Sequence, residues 1–176
     1  MEDLRVLKTR QALFQALARL LKEKEFERIT VSDIIREAHV TRKTFYNHYQ
    51  DKIDLVQKYQ AGLSQEILAL QSAHSAFDYA YFADLLTLLQ KKGALLSGLL
   101  SARGSAAMQE ILKGTMAEYC QQQLSGKEES AVFRRYQSVM MANAIFGVIQ
   151  YWLTAKPQLS PQEAAGVLCR LRFPQG

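Results

Sequence analysis

Apolar residues recur at every third or fourth position through most of the chain, with polar residues between them. From Val6 to Leu21, for example, Leu13, Leu17 and Leu20 fall on one side of a helix. No stretch shows the sustained alternation that indicates a strand. The pattern therefore predicts an all-α protein, with helices over residues 6–21, 31–38, 42–49, 53–72, 77–91, 93–101, 105–123, 130–155 and 161–171.

Residues that favour helix N-termini mark several of these starts. Thr30 and Asp33 form a Thr-x-x-Asp arrangement close to a capping box, and Thr41 can cap the helix that follows. The Ser-Pro-x-Glu sequence at 160–163 marks the start of the last helix. Because Thr30 and Thr41 are so close in the chain, a tight turn must join the two short helices that they begin.

Residues 30–52, TVSDIIREAHVTRKTFYNHYQDK, have the form of a helix-turn-helix. Apolar positions on both helices are spaced to pack together: Ile34, Ile35, Ala38, Val40, Phe45 and Tyr49. The second helix then presents a polar, partly cationic face: Arg42, Lys43, Thr44, Tyr46, Asn47 and His48. A helix with such a face suits the major groove of DNA.

Side-chain chemistry suggests a role for each residue on this face. Arg42 or Lys43 can donate to guanine, and Asn47 can pair with adenine. Thr44 and Tyr46 can meet a thymine methyl group or a phosphate. Phosphate contacts are also expected from the helix N-termini and from three further side chains: Ser32, His48 and Lys52.

Taken singly, these residues have simpler explanations. Arg42 and Lys43 are more often solvated charges at a helix start, and His48 is as often an ordinary surface histidine. Tyr49 is expected to belong to the core. The joint pattern, on the second of two turn-linked helices, favours DNA binding.

Charge is compatible with this interpretation but does not establish it. The 176 residues include 22 Lys and Arg and 17 Asp and Glu, a formal net charge of +5.

Residues 9–55 resemble the N-terminal domain of the TetR (tetracycline-repressor-like) transcriptional regulators. The resemblance rests on I-T-V-x-D-I-x-x-x-A-x-V at residues 29–40, T-F-Y-x-H-Y at 44–49 and the following Asp-Lys. The family usually has glycine in the turn where this chain has His39, which is expected to adopt a strained left-handed conformation. The resemblance implies phosphate contacts from Thr44, Tyr46, His48 and Lys52, with Arg42, Lys43 and Asn47 nearer the bases. The predicted DNA-binding set is therefore Ser32, Thr41, Arg42, Lys43, Thr44, Tyr46, Asn47, His48 and Lys52.

The helix predicted over 130–155 is apolar nearly all round, so it needs cover on two sides. One cover is its own core, and a second copy of the chain would provide the other, although a purely internal core remains the alternative. The predicted homodimer interface consists of Phe146, Gly147, Gln150, Tyr151, Leu159, Val167, Leu168 and Leu171.

A small-molecule effector is the expected signal, and adaptable Met and aromatic side chains supply a candidate pocket. Its predicted lining is Phe82, Met108, Met116, Tyr119, Cys120, Tyr136 and Met140. Ordinary core packing is the simpler explanation for each of them. Control by a protein partner docking on residues 77–123 is a second hypothesis. The F-G-V-I-x-Y-W-L run at 146–153 is similar to a short subgroup of the family that contains both repressors and partner-controlled activators.

Other classes of protein are not indicated. The three histidines are dispersed, the spacings typical of metal sites are missing, and no cofactor is expected. The glycines at 93–98 lack the Lys-Ser/Thr that a phosphate loop needs, and no Gly-x-Ser-x-Gly element marks a nucleophile. An enzyme is therefore disfavoured. Two cysteines, no export signal and no apolar run of membrane-spanning length indicate a cytoplasmic protein without a membrane partner.

These observations predict three segments. Residues 1–52 form the DNA-binding domain, 53–75 a connecting helix and 76–176 a sensing and dimerisation domain. The expected function is a repressor released from its operator by a small molecule. The alternative is an activator of the same fold that a protein partner controls.

Overall fold

The computed structural model describes residues 4–74, 76–124, 130–154 and 159–171. Within these ranges the chain forms eight α-helices and one 3-10 turn, with no strand, which confirms the predicted all-α fold. The helices are α1 (Leu4–Glu23), α2 (Val31–Ala38), α3 (Arg42–Tyr46), α4 (Lys52–Ala73), α5 (Tyr79–Leu100), α6 (Ala106–Gln123), α7 (Ala131–Thr154) and α8 (Pro161–Leu171). The 3-10 turn, called the η turn below, spans Phe26–Arg28.

Two helices differ from their predicted bounds in an informative way. α5 is one element where two were predicted, but Gly93 interrupts it with φ 63° and ψ −144°, so the predicted break is present as a kink. α3 ends at Tyr46, earlier than predicted, because the His48 N–H donates to the Phe45 carbonyl in a tighter bond of 3.0 Å. The predicted segment boundary at residue 75 and the predicted helix end at 155 lie outside the described residues.

The chain divides into two compact units. The N-terminal unit contains Met1–Glu66 and Lys92–Ser105, and the C-terminal unit contains Ile67–Lys91 and Ala106–Gly176. The division therefore falls within α4 and within α5.

The core of the N-terminal unit is formed by the apolar faces of its first four helices. Leu13 and Leu17 of α1, Ile34 of α2, Phe45 of α3 and Leu55 of α4 have no exposed surface. Each such side chain contributes roughly 1.5–3 kcal/mol relative to leaving it in water. The position of α3 is therefore fixed by Phe45, which is fully buried in this core.

The later segment of the N-terminal unit, residues 92–105, is tied to the segment between α1 and α2. The Phe26 N–H donates to the Arg103 carbonyl at 2.8 Å, and the Arg103 guanidinium donates to the Lys22 carbonyl. Gly98 allows close packing here, since a Cβ at that position would lie 3.1 Å from the Leu21 side chain. These contacts hold the η turn in place.

In the C-terminal unit, α6 packs along α7, and aromatic rings fill the space at one end. Phe77, Tyr81, Phe82 and Tyr119 form a cluster with ring centroids 4.8–5.9 Å apart. None of the described helices is both long and apolar enough to cross a membrane.

Candidate nucleic-acid interface

The first helix of the pair is set by the capping box that the sequence predicted. The Thr30 hydroxyl oxygen accepts from the Asp33 N–H at 3.1 Å, and the Asp33 carboxylate accepts from the Thr30 N–H at 3.1 Å. The Thr30 hydroxyl also donates to the Asp33 carboxylate at 2.9 Å. The bond from the Thr30 N–H, and after it the bond from the hydroxyl, lower the pKa of Asp33 to about 2, and Lys24 adds to the effect. The capping box therefore fixes the start of α2 directly after Thr30.

The turn between the two helices is made by His39 in the left-handed conformation, as predicted, with φ 55° and ψ 38°. The His39 N–H donates to the Arg36 carbonyl at 3.3 Å, and the Val40 N–H donates to the Ile35 carbonyl at 3.2 Å. The carbonyls at the end of α2 are thereby satisfied within three residues. The chain then reverses directly into α3.

α3 begins with a second cap. The Thr41 hydroxyl oxygen accepts from the Thr44 N–H at 3.0 Å, and the two threonine hydroxyls lie 2.8 Å apart. Thr41 and Thr44, both predicted to lie at the DNA, are thus held in one orientation at the N-terminus of the helix.

α3 and the turn after it have one buried side and one exposed side. Phe45 and Tyr49 are buried, and the Tyr46 ring, 50% exposed, meets the Phe45 ring edge-on at 5.4 Å. Of the predicted DNA-binding residues in α3 and at its C-cap, four are exposed: Arg42, Lys43, Tyr46 and Asn47. The structure therefore presents a ridge of two cations, a phenol and an amide, which we call the α3 ridge.

Arg42 is oriented by a residue of the other helix. One terminal nitrogen of its guanidinium donates to the Ser32 hydroxyl at 2.8 Å. Ser32 lies in the first turn of α2 and is exposed. This bond links the two helices on their outer side and leaves other guanidinium N–H groups for a ligand.

His48 is half-buried at the end of the ridge. Its ring lies 6.2 Å from that of Tyr49, and its carbonyl accepts from the Lys58 ammonium at 2.8 Å. The turn after α3 is thus tied to α4.

The Lys52 ammonium is bonded within the protein, whereas a phosphate contact needs an ammonium that is available to DNA. Its ammonium donates to the carbonyls of Phe26, Glu27 and Ile29 at 2.7, 2.9 and 2.8 Å, and it lies 4.8 Å from the centre of the Phe26 ring. All three donors of the ammonium are used. In this structure Lys52 joins α4 to the η turn, and a phosphate would have to replace one of those carbonyls.

The predicted effector-pocket residues fall into two groups. Phe82, Met108, Tyr119 and Cys120 are buried and Met116 is half-buried, whereas Tyr136 and Met140 are 75% and 50% exposed. The core side of α7 is taken by Ser138, Ala142, Phe146 and Ile149, and residues 136 and 140 point away from it. They do not share an interior site with the other five. Burial raises the pKa of the Cys120 thiol to about 12.

The residues predicted to form the dimer interface also differ in exposure. Tyr151 is 72% exposed, and Leu159, Leu171 and Gly147 are exposed as well. Gln150 and Val167 are half-buried, whereas Phe146 and Leu168 are buried inside the protomer.

Sequence reasoning missed two structural contacts of this region, the η turn with its Lys52 bonds and the Ser32–Arg42 bond. The Lys52 bonds join residues 23 to 26 apart in the chain and the Ser32–Arg42 bond joins residues 10 apart, and neither leaves a periodic signal. Side-chain chemistry and the family resemblance both predicted a phosphate contact for Lys52, and neither pointed to the η turn.

Comparison with known proteins identifies the same region. Residues 13–59 match the family model described as bacterial regulatory proteins, tetR family. An uncharacterized HTH-type transcriptional regulator of Bacillus subtilis (strain 168), YxbF, is 46% identical over 56 residues, which are 31% of this chain and 15% of that relative. The match thus spans about a seventh of the relative's length.

Solved structures share the fold over nearly the whole chain. NalD, the secondary repressor of the MexAB-OprM multidrug efflux pump in Pseudomonas aeruginosa, has a TM-score of 0.70 at 23% identity, with 96% of each chain covered. The dihydroxyacetone kinase operon activator DhaS has a TM-score of 0.59 at 17% identity, with 93% of each chain covered. A repressor and an activator are therefore both built on this fold.

Proposed function

We propose that the chain, whose residues 13–59 match the tetR family model, is a TetR-family transcriptional repressor released from its operator by a small molecule. The proposed regulator is a cytoplasmic homodimer that binds double-stranded DNA and catalyses no reaction.

The observation that carries the proposal is the α3 ridge. Phe45 fixes the inner side of the helix in the core, which leaves Arg42, Lys43, Tyr46 and Asn47 exposed on its outer side. A protruding helix with cations at its start is the form that reads base edges in the major groove.

Each predicted DNA-binding residue is assigned to base edges, to phosphates or to the fold according to its position. Arg42 and Lys43 stand at the start of α3 and are assigned to base edges, with Arg42 held toward its target by Ser32. Asn47 is assigned to the bases at the other end. Phosphate contacts are assigned to the side chains around the ridge: Ser32, Thr41, Thr44, Tyr46 and His48. Lys52 is assigned to the fold, because its donors are already used.

Dimerisation is proposed through α7 and α8. Tyr151 of α7, Leu171 of α8 and Leu159 just before α8 expose apolar surface, and the exposed Gly147 of α7 would allow a helix of a second copy to approach closely. Two such protomers would present two α3 ridges to two half-sites. Phe146 and Leu168 support this surface from within and do not form it.

The effector is proposed to bind in the C-terminal unit beside the aromatic cluster. The Tyr119 hydroxyl there is buried and has no hydrogen-bond partner among the described residues. A buried donor without a partner lowers stability by about 1–3 kcal/mol, and a polar ligand that accepts its hydrogen bond would offset that loss. Release from DNA requires that the ligand bind more tightly to the form that does not fit the operator.

The alternative is an activator controlled by a protein partner. It is favoured by apolar side chains that α6 and the first half of α7 leave exposed, chiefly Ile111, Val132, Phe133 and Tyr136. The name of DhaS shows that an activator can have this fold. A small molecule that releases the operator supports repression, whereas release only with a second protein supports the alternative.

Selection of duplexes from random DNA by the full chain, at about 0.15 M salt, tests the proposal. An inverted repeat is expected, with half-site centres about 34 Å apart or a multiple of that spacing. Failure to enrich any sequence would contradict a specific regulator.

The tyrosine variants test the proposed dimer. Tyr151→Glu should yield a monomer by light scattering and lose affinity for the repeat. Tyr79→Glu, at an exposed tyrosine of α5, should stay dimeric and keep its affinity.

A further inference from the structure

The N-terminal unit contains a groove that the proposed DNA contacts do not account for. It has a volume of about 470 Å³, is open to solvent, and is lined by residues of α1, of α4 and of the turn after α3. Small-molecule sites in proteins have volumes of about 300–1,000 Å³. The groove is therefore large enough for an organic molecule of one or two rings.

The lining of the groove includes apolar side chains beside its polar ones. Val6 and Phe14 of α1 line it, as does Tyr49 in the turn after α3. Phe14 is held in place by the Tyr59 ring, which meets it edge-on at 5.1 Å. On the α4 side Gly62 leaves the groove open, since a Cβ at that position would have no neighbour within 4 Å.

The rim is basic. Arg10, Lys58 and His48 line the groove, and none of its lining residues among those described is acidic. The Lys58 ammonium donates to the His48 carbonyl and to the Asp54 carboxylate, at 2.8 and 3.0 Å, and lies 5.3 Å from the centre of the Tyr49 ring. Two of its three donors are thus used, and the third is available to a ligand.

We propose that this groove binds an organic anion that carries an apolar ring or chain, with the apolar part on Phe14 and Tyr49 and the anionic group between Arg10 and Lys58. A bare phosphate needs only the rim, whereas the apolar side chains suit a hydrocarbon body. The site lies outside the C-terminal unit and is separate from the effector site proposed above.

Occupancy of the groove affects DNA binding through the His48 carbonyl in the turn after α3. An anion bound to the third Lys58 donor pulls the ammonium away from that carbonyl. His48 is also a proposed phosphate contact. The bound anion therefore weakens DNA binding.

Direct binding to the full chain in the absence of DNA tests the site, and does so whether or not the proposed repressor function holds. The probe is 2-naphthoate, with its neutral analogue 2-naphthamide as the control for charge. Calorimetry is expected to show one site, with the amide roughly tenfold weaker. In nitrogen-15 NMR spectra, the Gly62 amide should shift with 2-naphthoate.

Two pairs of variants locate the site. Gly62→Leu fills the groove and should weaken 2-naphthoate binding roughly tenfold or more, while Gly114→Leu, at an exposed helical glycine of α6, should leave it unchanged. Arg10→Gln should weaken binding severalfold, and Lys8→Gln, which removes the same charge from the same helix, should not. The Gly62→Leu protein should unfold at or above the wild-type temperature, because leucine favours a helix more than glycine does.

Several outcomes would overturn the proposal. They are no binding at millimolar probe, equal affinity of the wild-type and Gly62→Leu proteins, or amide shifts confined to the C-terminal unit. If Arg10→Gln instead lowers only the salt dependence of DNA binding, the groove is part of the DNA interface and is not a small-molecule site.

Discussion

Replacing Lys52 by methionine removes the ammonium that joins α4 to the η turn and keeps a side chain of similar length on the Phe26 ring. Three carbonyls, of Phe26, Glu27 and Ile29, lose a charged donor at 2.7–2.9 Å. A hydrogen bond to a charged group contributes about 1.5–3 kcal/mol. Because one half-exposed ammonium makes all three bonds, their contributions do not add, and we expect a loss of about 2–3 kcal/mol.

For a chain of this length, that loss lowers the melting temperature by roughly 5–10 °C. Urea unfolding followed by helical circular dichroism measures the free energy directly. Lys91→Met, at an exposed lysine of α5, is the matched control and should change stability by less than about 0.5 kcal/mol.

The same variant separates a structural role from a phosphate contact. If Lys52 serves the fold, the dependence of DNA affinity on salt keeps its slope in Lys52→Met. A wild-type stability combined with a slope lower by about one unit would refute the structural assignment and restore the phosphate contact that the family resemblance implied.

Three further predictions follow from the turn, the cap and the thiols. His39→Gly should stabilise the protein by about 1 kcal/mol in urea unfolding, because glycine adopts the left-handed conformation without strain; an unchanged stability would show that His39 is unstrained. The pKa of Asp33, about 2 when folded against 3.8 as its ordinary value, predicts that its stabilising contribution is complete above about pH 4 and is lost as the pH falls toward 2. Asp33→Asn should flatten that part of the stability profile, and an identical profile would contradict the capping box. Burial and a pKa raised to about 12 predict that in Cys169→Ser the remaining Cys120 reacts with a disulfide reagent only after unfolding; fast reaction of the native protein would contradict its burial.

The helix-turn-helix was predictable because local chemistry specifies it. Thr30 with Asp33, His39 and Thr41 each fix a cap or a turn within four residues, and the structure has all three as predicted. The exposed positions on α3 followed from the same spacing, since Phe45 alone decides which side faces the core.

The residues that sequence reasoning could not place depend on contacts between distant segments. The Asp-Lys pair indicates nothing about the η turn, so the three carbonyl partners of Lys52 were not foreseeable. α7 is apolar on most sides, and its sequence does not say which side is internal. That is why Tyr136 and Met140 were assigned to a pocket although they lie on the surface, while Phe146 was assigned to an interface although it belongs to the core.

The most direct test of the central claim is the affinity of Arg42→Ala, beside wild-type protein, for every single-base variant of the selected operator, at about 0.15 M salt. If the α3 ridge reads base edges, Arg42→Ala costs about 1–3 kcal/mol and stops discriminating at one base position in each half-site. A loss that is the same for every base variant and for unrelated DNA, or no loss at all, would contradict base readout by the ridge.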